Sequence, residues 1–242
     1  MKLTTNMRIQ NNCQNSQIFS EYLLKIGDGQ EAITENGKIR LSNEFCMICP
    51  TLENLINQVY PVITLNMQNI QWIQELTILT PLNEKVREIN FTLQEKVPTA
   101  ARTYYSIDKC LNDEEATRYP VEFLNSLDPS CIPLHRLVLK AGCPIMLLRN
   151  PDPPKLCNGS RLIVKALHAQ IIEATTLTGP FEGEHVLIPR IPLLPTDLPF
   201  SFQRLQFSLR LAFAIIINKA QGQSRRVTGL DLTDECFSLG QL

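Results

Sequence analysis

The sequence lacks any long apolar run that could cross a membrane. Its longest apolar stretch, residues 211–217, is far shorter than the roughly 20 residues that a membrane-spanning helix needs. No hydrophobic signal region opens the chain. Hydrophobic residues make up 44% of the 242 residues and charged residues 19%, which is typical of a globular protein with one large domain or two small ones. We therefore expect a soluble, intracellular protein with no membrane partner.

The sequence also has few residues that could hold a metal. Its three histidines are far apart, and only Cys46 and Cys49 among the eight cysteines have the close spacing of metal ligands. A structural zinc site would need a second close pair of ligands, and the sequence contains none. The pattern therefore favours reduced, partly buried thiols, and we predict no metal site.

The sequence has almost no net charge, with a formal value of −1, but the charges are unevenly distributed. Residues 129–165 contain six basic residues and one acidic residue, and residues 200–226 contain five basic residues and no acidic residue. These stretches could present a local positive surface to nucleic acid, or they could form an ordinary solvated face. Aromatic residues are only 7% of the chain, so any DNA contacts should be mostly to phosphates.

Helical and strand patterns alternate in the first part of the chain. Residues 19–26 and 52–60 carry apolar side chains at helical spacing. Residues 76–80 form a short apolar run typical of a buried strand, and residues 83–97 follow with an amphipathic helical pattern. A strand, a tight turn and a helix in this order predict one unit of an α/β sheet.

The middle of the chain is rich in proline and in short β-branched runs. Turn pairs such as Asn158-Gly159 separate predicted strands at a spacing typical of a small barrel. After residue 202 the α/β pattern returns, with predicted strands at residues 209–212 and 229–232 and a helix start at residues 218–222. The sequence thus predicts an α/β fold with an inserted small β-barrel. We assign residues 1–132 and 203–242 to the α/β domain and residues 133–202 to the barrel.

Seven segments in chain order resemble one family, the Pif-type superfamily-1 DNA helicases, in the branch encoded by Helitron transposons. The segments are residues 3–8, 23–29, 78–90, 137–150, 157–162, 188–191 and 217–224. The resemblance implies a second RecA-like domain of the P-loop NTPase type, without the P-loop itself, and an inserted SH3-like barrel called the 2B domain. It also implies an ATP-dependent 5′–3′ helicase that works in the nucleus. The implied processes are DNA replication, repair, recombination, telomere maintenance or Helitron transposition.

The resemblance assigns roles to two groups of residues. Arg8 matches the arginine that reaches the γ-phosphate of ATP from the second domain, and it is our catalytic candidate. A guanidinium suits that role because it is always charged and donates in a fork that fits phosphate oxygens. Lys219, Gln221 and Gly222 fall in helicase motif V, where a lysine and backbone amides contact the DNA backbone.

Five further residues are candidate contacts to DNA. Thr80 and Asn83 follow a predicted strand, at the position where open α/β sheets bind ligands, although either could simply cap the next helix. Arg149, Asn158 and Arg161 are similar to barrel residues that would contact single-stranded DNA, although Asn158 also suits a hairpin turn.

The sequence contains neither a P-loop pattern nor an apolar strand ending in Asp-Glu. The resemblance implies that ATP and Mg²⁺ bind to an N-terminal RecA-like domain that these residues do not include, and that the chain stops before the motif VI arginine. We therefore expect a C-terminal fragment that binds neither tightly and is inactive as an enzyme by itself. The alternatives are a non-catalytic module that binds single-stranded DNA or docks on a partner, and a decayed transposon relic.

Overall fold

A computed structural model gives the fold of most of the chain. It describes residues 14–30, 34, 39, 41, 43, 46–112, 117–129, 132–196, 198–221, 223 and 225–234. Among these residues, helices predominate before residue 100 and strands after it, and one short 3₁₀ helix spans Ile217–Ala220.

Six α-helices occur among the described residues. They are α1 (Gln14–Gly27), α2 (Leu52–Val59), α3 (Ile63–Asn66), α4 (Ile70–Glu75), α5 (Asn83–Glu95) and α6 (Val121–Ser126). The predicted helices at 52–60 and 83–97 are confirmed as α2 and α5. Local hydrogen bonds start two of the helices, because Thr51 Oγ1 accepts from the Asn54 amide at 3.2 Å and Asn69 Oδ1 accepts from the Trp72 amide at 3.1 Å.

Thirteen strands occur among the described residues. They are β1 (Leu76–Thr80), β2 (Ala101–Tyr105), β3 (Ile107–Cys110), β4 (Arg136–Lys140), β5 (Pro144–Leu147), β6 (Arg161–Leu167), β7 (Ile171–Thr176), β8 (His185–Pro189), β9 (Ile191–Leu193), β10 (Phe202–Gln206), β11 (Leu209–Leu211), β12 (Ala214–Ile216) and β13 (Val227–Leu230). They form four sheets with the orders β12-β1-β13, β3-β10-β9, β11-β5-β6-β7-β8 and β2-β4.

The sheet β12-β1-β13 is parallel and belongs to the α/β part of the fold. All five residues of its central strand β1 are buried, as expected for a parallel strand that is covered on both faces. Helix α5 packs on β1 and β12, and helix α2 packs on β1 and β13. The Asn90 side chain fixes α5 to β12, because its amide exchanges two 2.9 Å hydrogen bonds with the backbone of Ala214.

Glycine at position 229 allows α2 to approach β13 closely. A Cβ atom at Gly229 would lie 2.7 Å from Val59 Cγ2 and 3.0 Å from Leu55 Cδ1. Both side chains belong to α2, so a larger residue on β13 would push the helix away from the sheet.

Strands β2 to β11 form the β-rich part of the fold. It is built around the antiparallel sheet β11-β5-β6-β7-β8. Its apolar interior includes Leu147, Leu162, Ile172 and Ile188, all almost completely buried. The alternating burial of β8 shows one face toward this interior and the other toward solvent.

Strand pairing extends the β-rich part beyond the predicted segment 133–202 at both ends. Strand β2 pairs with β4, and β3 pairs with β10, so residues 101–110 join the β-rich part. Strand β11 pairs with β5 through Leu209 and Leu147. The strand predicted at residues 209–212 is confirmed as β11, but its assignment to the α/β domain is wrong, and β12 is the strand that rejoins the parallel sheet.

The described residues contain neither a helix that could span a membrane nor a cluster of side chains that could hold a metal ion. None of their helices combines the length and apolarity needed to cross a bilayer. Within the same residues, no group of three or more His, Cys, Asp or Glu side chains could hold a metal ion.

Candidate nucleic-acid interface

Several predicted DNA-contacting residues meet at the carboxyl edge of the parallel sheet. Thr80 at the end of β1 pairs with Ile216 at the end of β12, so the two strands end side by side. Helix α5 begins at Asn83 after β1, and the 3₁₀ helix Ile217–Ala220 begins directly after β12. Lys219 in that 3₁₀ helix is exposed. This arrangement brings segments that are more than 130 residues apart in sequence to one edge.

The two residues predicted after β1 differ in their access to solvent. Thr80 is fully buried, and its hydroxyl has no hydrogen-bond partner among the described residues. The prediction of a direct DNA contact through the Thr80 side chain is therefore wrong. Asn83 is exposed in the first turn of α5. The capping alternative is also wrong, because the N-cap of α5 is Leu82 and no side chain caps the helix.

Residues 217–220 of the segment that resembles motif V form a single turn of 3₁₀ helix, close to the helix start predicted at residues 218–222. Its N-cap is Ile216, which has no polar side chain to accept a hydrogen bond from the turn. Gln221 follows the turn and is exposed, and the Gln223 side chain donates to the Lys219 carbonyl at 3.1 Å. Gly222 lies outside the described residues, as does Arg8, so their predicted roles stay predictions.

An acidic residue that the sequence did not single out lies at the same edge. The Asp231 amide, just after β13, donates to the Leu79 carbonyl at 2.8 Å. Asp231 is 3% exposed, and its Oδ1 accepts from the Thr233 hydroxyl at 2.8 Å. A hydrogen bond and the charge of Glu88 raise the pKa of Lys85 in α5, with smaller contributions from Asp231 and Asp234. The edge therefore carries charges of both signs.

Arg161 is part of the interior, which corrects the prediction that it contacts DNA. Its side chain is completely buried and donates to the carbonyls of Gln74 at 3.4 Å, Leu76 at 3.1 Å and Ala212 at 3.1 Å. Burial lowers the pKa of its guanidinium, partly offset by Tyr60. Arg161 thus ties the start of β6 to the end of α4 and to the parallel sheet. No local sequence signal distinguishes this arginine from an exposed one.

Arg149 and Asn158 lie on the exposed connection between β5 and β6. The backbone N–H of Asn158 donates to Asn150 Oδ1 at 2.6 Å, and Gly159 has a φ of +87°. Asn158 and Gly159 form a turn, as the pair predicted, but only Gly159 has the positive φ that a type I′ hairpin turn needs at both positions. The side chains of Arg149 and Asn158 are exposed and remain accessible to DNA, at a loop separate from the sheet edge.

The basic stretch 200–226 does not form one positive surface. Arg204 and Asp108 are both completely buried and form an ion pair with a 2.7 Å N–O distance. Arg225 is half-buried and donates to the Gln74 carbonyl at 3.3 Å. Burial lowers the pKa of Arg225 to about 10, with a further contribution from the nearby charge of Arg161. Lys219 and Arg226 are the exposed basic residues of this stretch among the described residues.

Comparison with known proteins shows which family this chain resembles. Residues 122–167 match the family model of the 2B domain of the DNA helicase Pif1. This chain resembles the C-terminal portion of Pif1-type helicases. The matched residues include most of α6 and the whole of β4, β5 and β6, so they cover three strands of the β-rich part.

One curated relative is the ATP-dependent DNA helicase PIF6 of Trypanosoma brucei brucei. The two proteins are 31% identical over 111 residues, which cover 43% of this chain and 14% of the relative. The chain therefore spans a small part of that helicase's length.

Solved Pif1 structures share the fold at lower identity. The Pif1 helicase of Candida albicans has a TM-score of 0.60 at 16% identity, covering 98% of this chain and 51% of that chain. A structure of two coordinating Pif1 helicases at forked double-stranded DNA has a TM-score of 0.52 at 23% identity, and the match covers 81% of this chain and 43% of that chain. Bacteroides Pif1 bound to single-stranded DNA has a TM-score of 0.50 at 21% identity, and the match covers 81% of this chain and 45% of that chain. The fold is accordingly a mixed α/β, RecA-like arrangement with a small β domain.

Proposed function

We propose that this chain is the C-terminal motor part of an ATP-dependent 5′–3′ DNA helicase and binds single-stranded DNA along the carboxyl edge of its parallel sheet. The observation that carries the proposal is the meeting of β1, α5 and the motif V turn at that edge, with Asn83 and Lys219 exposed there. Open α/β sheets usually bind ligands at this edge. The Helitron-encoded branch, a nuclear location and roles in DNA replication, repair, recombination, telomere maintenance or transposition belong to the same proposal.

The chemistry of the edge suits the DNA backbone better than base-specific recognition. The Asn83 amide and the Lys219 ammonium can both donate to phosphate oxygens, which positions a strand without reading its sequence. The acidic groups Asp231 and Asp234 lie near Lys85 at the same edge, so only a few positive groups can act there. We therefore expect binding that is modest, sequence-tolerant and steeply dependent on salt.

ATP and Mg²⁺ require groups that the described residues do not supply. No P-loop pattern occurs in residues 1–242, and no described cluster of carboxylates or histidines could hold a metal ion. We propose that an N-terminal RecA-like domain supplies these groups, and that Arg8 reaches the γ-phosphate from the domain formed by this chain. Phosphoryl transfer needs several groups positioned together, so the chain by itself should not hydrolyse ATP.

The test is binding of the purified chain to fluorescent single-stranded DNA over a series of salt concentrations, with ATP hydrolysis measured on the same sample. We expect binding that weakens as salt rises, without hydrolysis. Lys219→Ala should weaken binding and lower the slope of log K against log salt by about 0.7, the value for one phosphate contact to a single strand.

Lys96 provides a matched control. It is exposed and follows the last residue of α5, at the end of the helix away from the carboxyl edge. Lys96→Ala removes the same charge from the chain and should leave the slope unchanged. Equal effects of the two variants, or no binding at low salt by a folded sample, would contradict the proposal.

A further inference from the structure

A cavity of about 370 Å³ lies between helix α5 and the β-rich part. One wall is a face of α5, where Asn83, Arg87 and Phe91 are spaced four residues apart. The opposite wall comes from strands β4 and β11 and from the segment before β4. The volume falls within the range of about 300–1,000 Å³ that is typical of small-ligand sites.

The cavity continues from the carboxyl edge of the parallel sheet. Asn83 lines the cavity and is also the exposed first residue of α5 at that edge. A strand bound at the edge would therefore pass Asn83, which lines the cavity. The flat ring of Phe91 lies farther along the helix and is 55% exposed, although Phe is usually buried.

The lining combines apolar surface with positive charge. Val86, Leu148 and Leu209 are buried side chains of the lining. Three arginines and one carboxylate also line the cavity. The carboxylate, Asp128, forms an ion pair with Arg87, and Arg136 is an exposed cation of the same lining.

We propose that this cavity receives a nucleobase of single-stranded DNA, which stacks on Phe91 while Arg136 contacts the adjoining phosphate. An aromatic side chain next to cationic groups fits a nucleotide, because every base has a flat π face and is attached to an anion. An apolar peptide segment would not use the positive charge. This inference rests on the proposed function, since it assumes that a DNA strand lies along the neighbouring edge.

The experiment compares the full chain and its Phe91→Ala variant on oligothymidines that carry 2-aminopurine at successive positions. Stacking on an aromatic ring quenches 2-aminopurine fluorescence, so we expect one position to be quenched by the wild-type chain and not by the variant. Affinity should fall by roughly 5- to 150-fold, as for the loss of one stacked base. Phe91→Trp should keep both the quenching and the affinity of the wild-type chain. Arg136→Ala should lower the slope of log K against log salt for DNA binding.

Phe123→Ala is the control, because Phe123 is 40% exposed and lies outside the cavity. It should leave quenching and affinity unchanged. A second comparison uses a fully abasic oligonucleotide of the same length, which should bind more weakly than oligothymidine. Equal binding of the two would overturn the base site and leave DNA binding at the edge intact. Failure to bind either oligonucleotide would overturn the proposed function itself.

Discussion

Replacing Arg204 with methionine should destabilise the β-rich part strongly. Arg204 and Asp108 are completely buried, and two guanidinium nitrogens contact the carboxylate at 2.7 to 3.1 Å. The same guanidinium donates to the carbonyls of Leu124, Leu127 and Pro133 at 2.8 to 3.1 Å. One side chain therefore joins β10 and β3 to α6 and to the segment before β4.

The expected loss of stability in Arg204→Met follows from the Asp108 charge that stays buried after the substitution. Removing one partner of a buried ion pair costs about 3–5 kcal/mol, because the other charge stays buried without compensation. A folded chain has only about 5–15 kcal/mol of stability in total, so Arg204→Met should remove a large share of it. Arg226→Met is the control, because the Arg226 side chain is 78% exposed and lies 3.4 Å from Glu75. An exposed pair of this kind is worth about 0–1 kcal/mol.

The assay is urea unfolding followed by circular dichroism, with the double variant Asp108→Leu/Arg204→Met included. The double variant removes the uncompensated charge but leaves three backbone carbonyls without their donor. Its stability should therefore lie between that of Arg204→Met and that of the wild-type chain. A loss below about 1 kcal/mol in Arg204→Met would refute the reasoning, since it would mean that this ion pair contributes no more than an exposed one.

Three further outcomes follow from the packing. Arg161→Met should lower the free energy of unfolding by about 2–4 kcal/mol, through the three lost carbonyl contacts, without changing the salt slope of DNA binding. Gly229→Ala should cost about 1–3 kcal/mol through crowding against α2, whereas Gly27→Ala, with no atom near its Cβ position, should cost almost nothing. Burial raises the pKa of Cys143 to about 12, so a thiol reagent at pH 8 should modify the exposed Cys46 and spare Cys143 until the chain unfolds.

The sequence contained enough local information to predict β1 and α5. The apolar run at residues 76–80 and the amphipathic pattern after it can form one buried strand and one half-buried helix in almost any context. The Asn158-Gly159 turn was equally predictable, because only a few residue types accept its positive φ.

Pairing between distant segments was not predictable from the sequence. Strands β2 and β3 join the β-rich part through partners at 136–140 and 202–206, and no local pattern specifies such a register. The burial of Arg161 and Arg204 depends on the same long-range assembly. Their charge suggested a surface for nucleic acid, whereas their environments supply carbonyl and carboxylate acceptors that allow a guanidinium to be buried.

The most direct test of the central claim is photo-crosslinking of single-stranded DNA that contains 4-thiothymidine, followed by mass spectrometry of the attached peptides. Binding along the carboxyl edge of the parallel sheet predicts adducts on residues 80–87 and 217–221, the segments that follow β1 and β12. Lys219→Ala should reduce the adducts on both segments. Adducts confined to other parts of the chain, in a sample that binds DNA and is folded, would contradict a DNA-binding role for this edge.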